Sequence, residues 1–328
     1  MNIPLSVLDL AVITQGSVAA DAYKNSLDLA QQVEEWGYHR FWLAEHHNME
    51  NIGSSATPVL MAYIAGGTAS IRVGSGGVML PNHSPLIVAE QFGTLASLFP
   101  DRIDLGLGRA PGTDQVTARA LRRERVETVQ DFPDDVQELL QYLSLENKRG
   151  RVRAIPGEGL DIPVWLLGSS LFSAQLAAEL GLPYAFASHF APTHFEAAIN
   201  LYKKNFKPSE YLGVPYVMAC VNAIVADTDT DAAHLATSFY QLALGIIRQT
   251  RNPLSPPVES MENLWLSHEA AAVEQMLTYS FIGCPDNVQP KMRSFVQRHQ
   301  LNEVMIVSHI YDHQARLRSY GHLVQHWN

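Results

Sequence analysis

The feature that most constrains how this chain can fold is a switch in hydrophobic period, from two to about 3.6 residues, that recurs along its whole length. Short runs rich in β-branched and aromatic residues, at 3–10, 40–44, 71–80, 102–107, 162–167, 184–188, 216–226 and 303–308, read as strands. Between them apolar residues return at helical spacing over 20–36, 57–69, 85–98, 133–145, 170–180, 192–206, 230–248 and 287–299, and a last helix is expected over 312–327. Eight strand–helix units in 328 residues average roughly 41 residues each, which fits a (β/α)8 barrel carrying insertions. A doubly wound sheet would need fewer strands and usually a glycine-rich first turn. The first strand is instead followed by Ala11-Val12-Ile13-Thr14-Gln15-Gly16, without a G-x-G-x-x-G run. The segments 111–131 and 250–267 read as insertions, and no linker or low-complexity tract divides the chain, so the expectation is one α/β domain over 1–328: a TIM barrel.

Charge and cysteine content exclude several functions. Lys plus Arg number 23 against 33 Asp plus Glu, a net charge of −10 that argues against nucleic acid or an anionic membrane as the main partner. With only Cys220 and Cys284 there is no disulfide framework and no multi-thiolate metal site, and a reducing cytoplasm is the expected location. The start of the chain lacks a signal-peptide pattern, and no stretch is apolar for the 18 or so residues a membrane span requires.

In a (β/α)8 barrel the chemistry is carried by the C-terminal ends of the strands. Here those ends are polar: Glu45-His46-His47 after the second strand, Gly108-Arg109 after the fourth, Gly168-Ser169-Ser170 after the fifth, Ser188-His189 after the sixth and Ser308-His309 after the last. Gly168-Ser169-Ser170, with Ser173 one turn on, has the composition of a phosphate cradle at a helix start, with Arg109 as the fixed charge. A serine that merely caps the helix is the competing reading. Adjacent residues on an extended chain point opposite ways and H-E-x-x-H spacing is absent, so Glu45-His46-His47 is not expected to chelate a metal. A strand-end imidazole suits proton transfer instead, and one of the two histidines is expected to be structural, bonded to a carboxylate such as Glu45 or Glu90. Gly76-Gly77, inside an otherwise apolar strand, marks either tight barrel packing or the close approach of a flat ligand.

Taken together, the stretches 36–49 (WGYHRFWLAEHHNM), 73–85 (VGSGGVMLPNHSP), 89–95 (AEQFGTL), 102–112 (RIDLGLGRAPG), 163–170 (PVWLLGSS) and 186–192 (FASHFAP) resemble the bacterial luciferase-like flavin monooxygenases, specifically luciferase family oxidoreductase group 1. The resemblance implies a barrel that binds FMN at its C-terminal rim, receives it reduced from a separate flavin reductase, and forms a C4a-peroxyflavin with O2 that attacks a small organic substrate. It implies His46 as the catalytic residue; Ala44, Gly76, Gly77, Arg109, Ser169, Ser170 and Ser173 at the cofactor, with a cis peptide at Gly76-Gly77; and His189 and His309 in the substrate pocket. A homodimer is expected. Gly108 stands where luciferase's catalytic subunit has a reactive cysteine, and Ser169 where its phosphate loop is acidic, so thiol-dependent behaviour is not transferred and the transfer of an aldehyde substrate or light emission is weakened. A deazaflavin-dependent oxidoreductase and a flavin-binding protein without turnover are the alternatives. The proline-rich 250–267 segment is expected to be a mobile lid over the flavin.

Overall fold

The β-rich runs pair edge to edge until the last meets the first. In a computed structural model of the chain, which describes residues 3–110, 112–121, 131–325 and 327, β1 (Leu5–Asp9) is flanked by β2 (Arg40–Leu43) and β10 (Glu303–Val307). From β2 the sheet continues through β3 (Arg72–Ser75), β5 (Ile103–Gly108), β6 (Val164–Gly168), β7 (Tyr184–Phe186) and β8 (Val217–Val225), and β8 closes the ring by pairing with β10. Every pairing is parallel, which gives an eight-stranded barrel of luciferase-like TIM type. The short β4 (Val78–Met79) resumes the path of β3 beside β5, after an interruption at Gly76 and Gly77.

Eleven α-helices are present among the described residues. Nine correspond to expected segments, among them α2 (Thr57–Gly66), α3 (Pro85–Leu98), α6 (Leu171–Leu180), α8 (Asp229–Ile247) and α11 (His313–Gln325). Two do not. The helix α4 (Gln115–Leu121) falls in the expected insertion 111–131, of which positions 111 and 122–130 lie outside the described residues. The helix α9 (Ser267–Met276) buries only Glu269 and Val273, so it carries no apolar stripe for periodicity to reveal. An additional strand, β9 (Ser280–Gly283), pairs with the upper part of β8 from Asn222 to Val225, while the lower part of β8 pairs with β10. No described helix is long and apolar enough to cross a membrane.

Side chains alternate between the barrel interior and the helical layer, as strand geometry requires. Outward-facing Phe41, Leu43, Leu105 and Leu166 join helix residues such as Met61, Ile64, Val88 and Phe92 in the main core. Inward, the barrel floor is ionic. The Arg40 guanidinium lies between Asp104 (Nη1–Oδ2 2.7 Å) and Glu303 (Nε–Oε1 3.0 Å), and both carboxylates are fully buried. Arg72 donates to the other oxygen of Asp104 at 2.7 Å; Ser6 and Tyr216, the latter at 2.8 Å, donate to Glu303. Above this floor sit Leu8, Trp42, Trp165, Ala185, Met218 and Met305.

Removing one partner of a buried ion pair leaves the other charge uncompensated, at a cost of about 3–5 kcal/mol. Arg40→Met is accordingly expected to lower the unfolding free energy by about that amount, read as a reduced urea midpoint. An unchanged midpoint would mean that Arg72, Ser6 and Tyr216 satisfy the two carboxylates without it.

Candidate active site

The C-terminal ends of the strands surround a cavity of about 200 Å³. It is lined by Leu8 and Leu10 of the first unit, Ala44 and His46 after β2, Gly76, Gly77 and Met79, Gly108, Arg109 and Ala110 after β5, Leu167 through Ser170 with Ser173, and Ala187, His189 and Phe190 after β7. All the residues expected at the cofactor are therefore brought together, along with His46 and His189. His309 is not among the lining residues. It follows the end of β10, where the chain turns toward α11, and its ring stacks on Phe239 of α8 at 5.4 Å.

His46 extends from β2, whose outgoing chain is fixed by Ala44 N–H to the Asp9 carbonyl (3.0 Å) and His46 N–H to the Ser54 carbonyl (3.1 Å). Its Nδ1 lies 3.3 Å from the Gly112 carbonyl. A carbonyl only accepts, so this contact places the proton on Nδ1 and leaves Nε2 with a free lone pair. Burial holds the imidazole below its ordinary titration range, against the opposing effect of the Gly112 carbonyl, so His46 is neutral at pH 7. His47 is the structural partner: its Nε2 lies 2.8 Å from Glu45 Oε1. His83 contacts the same oxygen at 2.8 Å, and the Met79 N–H donates to Oε2 at 3.1 Å. Burial alone would raise the Glu45 carboxyl, but the bonds from His47, His83 and Met79 hold it down at about 2. The ligand atoms of Glu45, His47 and His83 lie within 4.8 Å of one another, a grouping invisible in sequence because His83 is far along the chain.

The peptide between Gly76 and Gly77 is cis, as expected. Both readings of the pair hold geometrically. A Cβ on Gly76 would lie 2.7 Å from Leu8 Cδ1, and one on Gly77 would lie 2.8 Å from the Gly106 carbonyl, yet both residues also form cavity wall. At position 108 a Cβ would fall 2.7 Å from Met79 Sδ, so the place of luciferase's cysteine is closed here unless Met79 moves.

Ser170 occupies the N-cap of α6, but its side chain makes no capping hydrogen bond. The first N–H groups of α6 thus receive no cap from it and remain available to an anion. Ser173 Oγ donates to the Ser170 carbonyl at 3.0 Å. The Arg109 guanidinium lies over the Phe172 ring, 4.3 Å from its centre, and no described carboxylate is paired with it. Phe172, Met79 and Phe190 were missed by sequence reasoning, which looked for polar groups.

The 250–267 segment is non-helical up to the start of α9 and reaches the rim, but none of its residues lines the cavity. Leu254 exchanges backbone hydrogen bonds with the first rim loop (Leu254 N to Ile13 O, 2.9 Å; Gln15 N to Leu254 O, 2.8 Å), and Arg251 Nη1 donates to the Asn48 carbonyl at 2.6 Å. Another cavity, of about 230 Å³, lies outside the barrel, with Asp227, Asp231, His234, Arg318 and His322 among its walls. It is away from the strand ends where the groups above converge.

The sequence profile of luciferase-like monooxygenases matches residues 3–299. The chain belongs to the luciferase-like monooxygenase family. It is 52% identical over 319 residues to a luciferase-like monooxygenase of Escherichia coli, covering 97% of this chain and 95% of that one. The crystal structure of apo-MsnO8 superposes with a TM-score of 0.88 at 32% identity, over 98% of each chain. The oxygenating component of 3,6-diketocamphane monooxygenase from Pseudomonas putida, solved with FMN, shares the fold at a TM-score of 0.74 and 16% identity, over 99% of this chain and 98% of that one.

Three histidines of this family member are held neutral near the rim. Burial pushes His189 down to about 3, helped by His309 and His46, and burial pushes His309 down to about 4, helped by Arg316. In the unfolded chain each titrates near the ordinary 6.5, so below that pH the unfolded state binds more protons. The contribution of His189 and His309 is thus complete above about pH 6.5 and falls toward pH 4 by roughly 1.4 kcal/mol per histidine per pH unit. Urea titrations across that range should give a shallower decline for His309→Phe than for the wild type; parallel curves would mean that His309 protonates freely in the folded chain.

Proposed function

We propose that this chain is an FMN-dependent monooxygenase that takes reduced FMN from a separate flavin reductase, and O2 from solution, to oxygenate a small organic substrate in the rim cavity. The observation that carries the reading is the pairing of Arg109 with the uncapped start of α6 at the wall of a cavity that is otherwise mainly apolar. A fixed cation and free N–H groups suit a terminal phosphate. Gly76, Gly77 and Gly108 bring bare backbone to the same cavity, where a flat ring could lie close. Reduced FMN held there would supply two electrons and two protons, and the substrate the other two electrons, so that one oxygen atom of O2 would go to the substrate and the other would leave as water.

The chain's own groups then have distinct tasks. Arg109, Ser169 and Ser170 bind the phosphate, and the Ser173 hydroxyl, bonded to the Ser170 carbonyl, holds the turn in shape. Ala44 and the glycine pair form the ring's platform. His46, neutral and with Nε2 free, takes or returns a proton at that nitrogen. Leu10, Met79 and Phe190 give the substrate an apolar wall, with His189 as its polar neighbour.

Arg109→Ala is expected to weaken FMN binding by about 1.5–3 kcal/mol, the range for a charge-assisted contact, measured by quenching of flavin fluorescence. Unchanged affinity would remove Arg109 from the site, and preferential binding of a deazaflavin cofactor in the same titration would replace the monooxygenase reading with hydride transfer. His46→Ala should bind FMN normally but slow substrate oxygenation by at least about tenfold, at the low end of acid–base effects. Stopped-flow absorbance of the reduced complex mixed with O2 is the readout, and identical traces for variant and wild type would release His46 from the role.

A further inference from the structure

Below the rim cavity the barrel interior is incompletely filled. A second cavity, of about 50 Å³, lies beneath it and shares Gly76, Leu167 and His189 as a common wall. Its floor is Trp42 with Met218 and Met305, and its sides include Ala185 and Cys220. Barrel interiors are ordinarily packed with bulky branched side chains in layers. Here the small residues Gly76, Ala185 and Cys220 share the lining, and a Cβ on Gly76 would have to displace its neighbours, lying 2.7 Å from Leu8 Cδ1 and 3.2 Å from Trp42 Cβ.

Water is a poor occupant. A buried water needs two to four polar partners, and few are on offer. The Trp42 indole N–H is directed down to Asp104 at 3.1 Å, and the Cys220 carbonyl already accepts from Ser188 at 2.6 Å. The Nδ1 of His189 is buried without a partner, so that imidazole is a polar side chain this lining offers a guest. The volume admits no more than about two or three heavy atoms, given roughly 30 Å³ for a molecule the size of water. Two thioethers, a thiol and aromatic faces surround the space, and such surfaces favour a polarisable apolar guest.

We infer that this inner cavity is a dioxygen site, holding O2 in the barrel axis directly below the ring platform and delivering it upward past Gly76 and Leu167. The inference rests on the flavin reading for its purpose but not for its geometry. It accounts for the small residues of this lining, which ring binding at the rim does not require at Ala185 or Cys220, since neither lines the rim cavity.

Xenon is the probe, being apolar and similar in size to O2. Crystals of the full chain pressurised with xenon should bind it between Ala185, Cys220 and Met305, and Ala185→Val and Cys220→Val should each exclude it. Both variants should keep FMN affinity, while the bimolecular rate constant of the reduced complex with O2 falls at least threefold. No xenon in the wild-type cavity, or xenon lost in a variant whose O2 rate constant is unchanged, overturns the inference. A chain that takes up xenon there and binds no FMN would defeat the flavin reading alone, leaving the gas site in place. Two variants guard against misfolding by either, and retained FMN affinity identifies the folded one.

Discussion

The clamp of Arg40 between Asp104 and Glu303 sets what every strand presents higher up. Once Arg40 faces inward on β2, alternation directs Trp42 to the same side and the chain leaves the strand toward Ala44 and His46, which line the cavity, and Asp104 on β5 likewise commits Gly106 and Gly108. A slip of one residue would turn every side chain of the strand over. On β2 it would bring Phe41 and Leu43 inward and turn Arg40 and Trp42 out of the barrel. An ionic floor is a poor source of net stability, because desolvation offsets most of the attraction. Its value here is register: an unpaired carboxylate at 104 or 303 makes any slipped arrangement costly.

Much of this was legible in the sequence. The eight barrel strands and nine of the helices follow from period alone, because a closed parallel barrel needs a repeated strand–helix alternation. The rim also showed through, since glycine, serine, histidine and arginine at strand ends are conspicuous against an apolar strand. What stayed hidden depends on distance along the chain or on packing. His83 reaches Glu45 from the far side of β3 and β4, and Phe172 meets Arg109 only because α6 starts next to β5. The 250–267 segment reads as a mobile lid, whereas in the fold its Leu254 is 2% exposed and hydrogen-bonded to the first rim loop. His309, two residues past the end of β10 at Val307, is not among the residues lining the rim cavity, and its ring stacks on Phe239.

The electrostatics of the rim follow from the same geometry. Among the described residues, three neutral imidazoles lie at or beside the mouth and Arg109 is the arginine that lines the cavity, in a chain whose net charge is −10. The fixed positive charge of the described lining therefore sits at one end of the cavity, beside the start of α6. An elongated ligand with a single anionic terminus is oriented by that asymmetry, tail to Arg109 and uncharged body across the glycines.

The divided pairing of β8 bears on how such a barrel diversifies. Below Asn222 the strand belongs to the ring, and above it the strand leaves β10 for β9, so the wall is parted at its upper edge. The chain between α8 and α9 reaches the rim, where Leu254 forms a backbone bridge to the first loop and Arg251 donates to the Asn48 carbonyl. Residues can be added or lost there without breaking a hydrogen bond of the ring. The seam is thus a place where the mouth of the barrel can change in length and shape while the ionic floor goes on fixing the register of the strands.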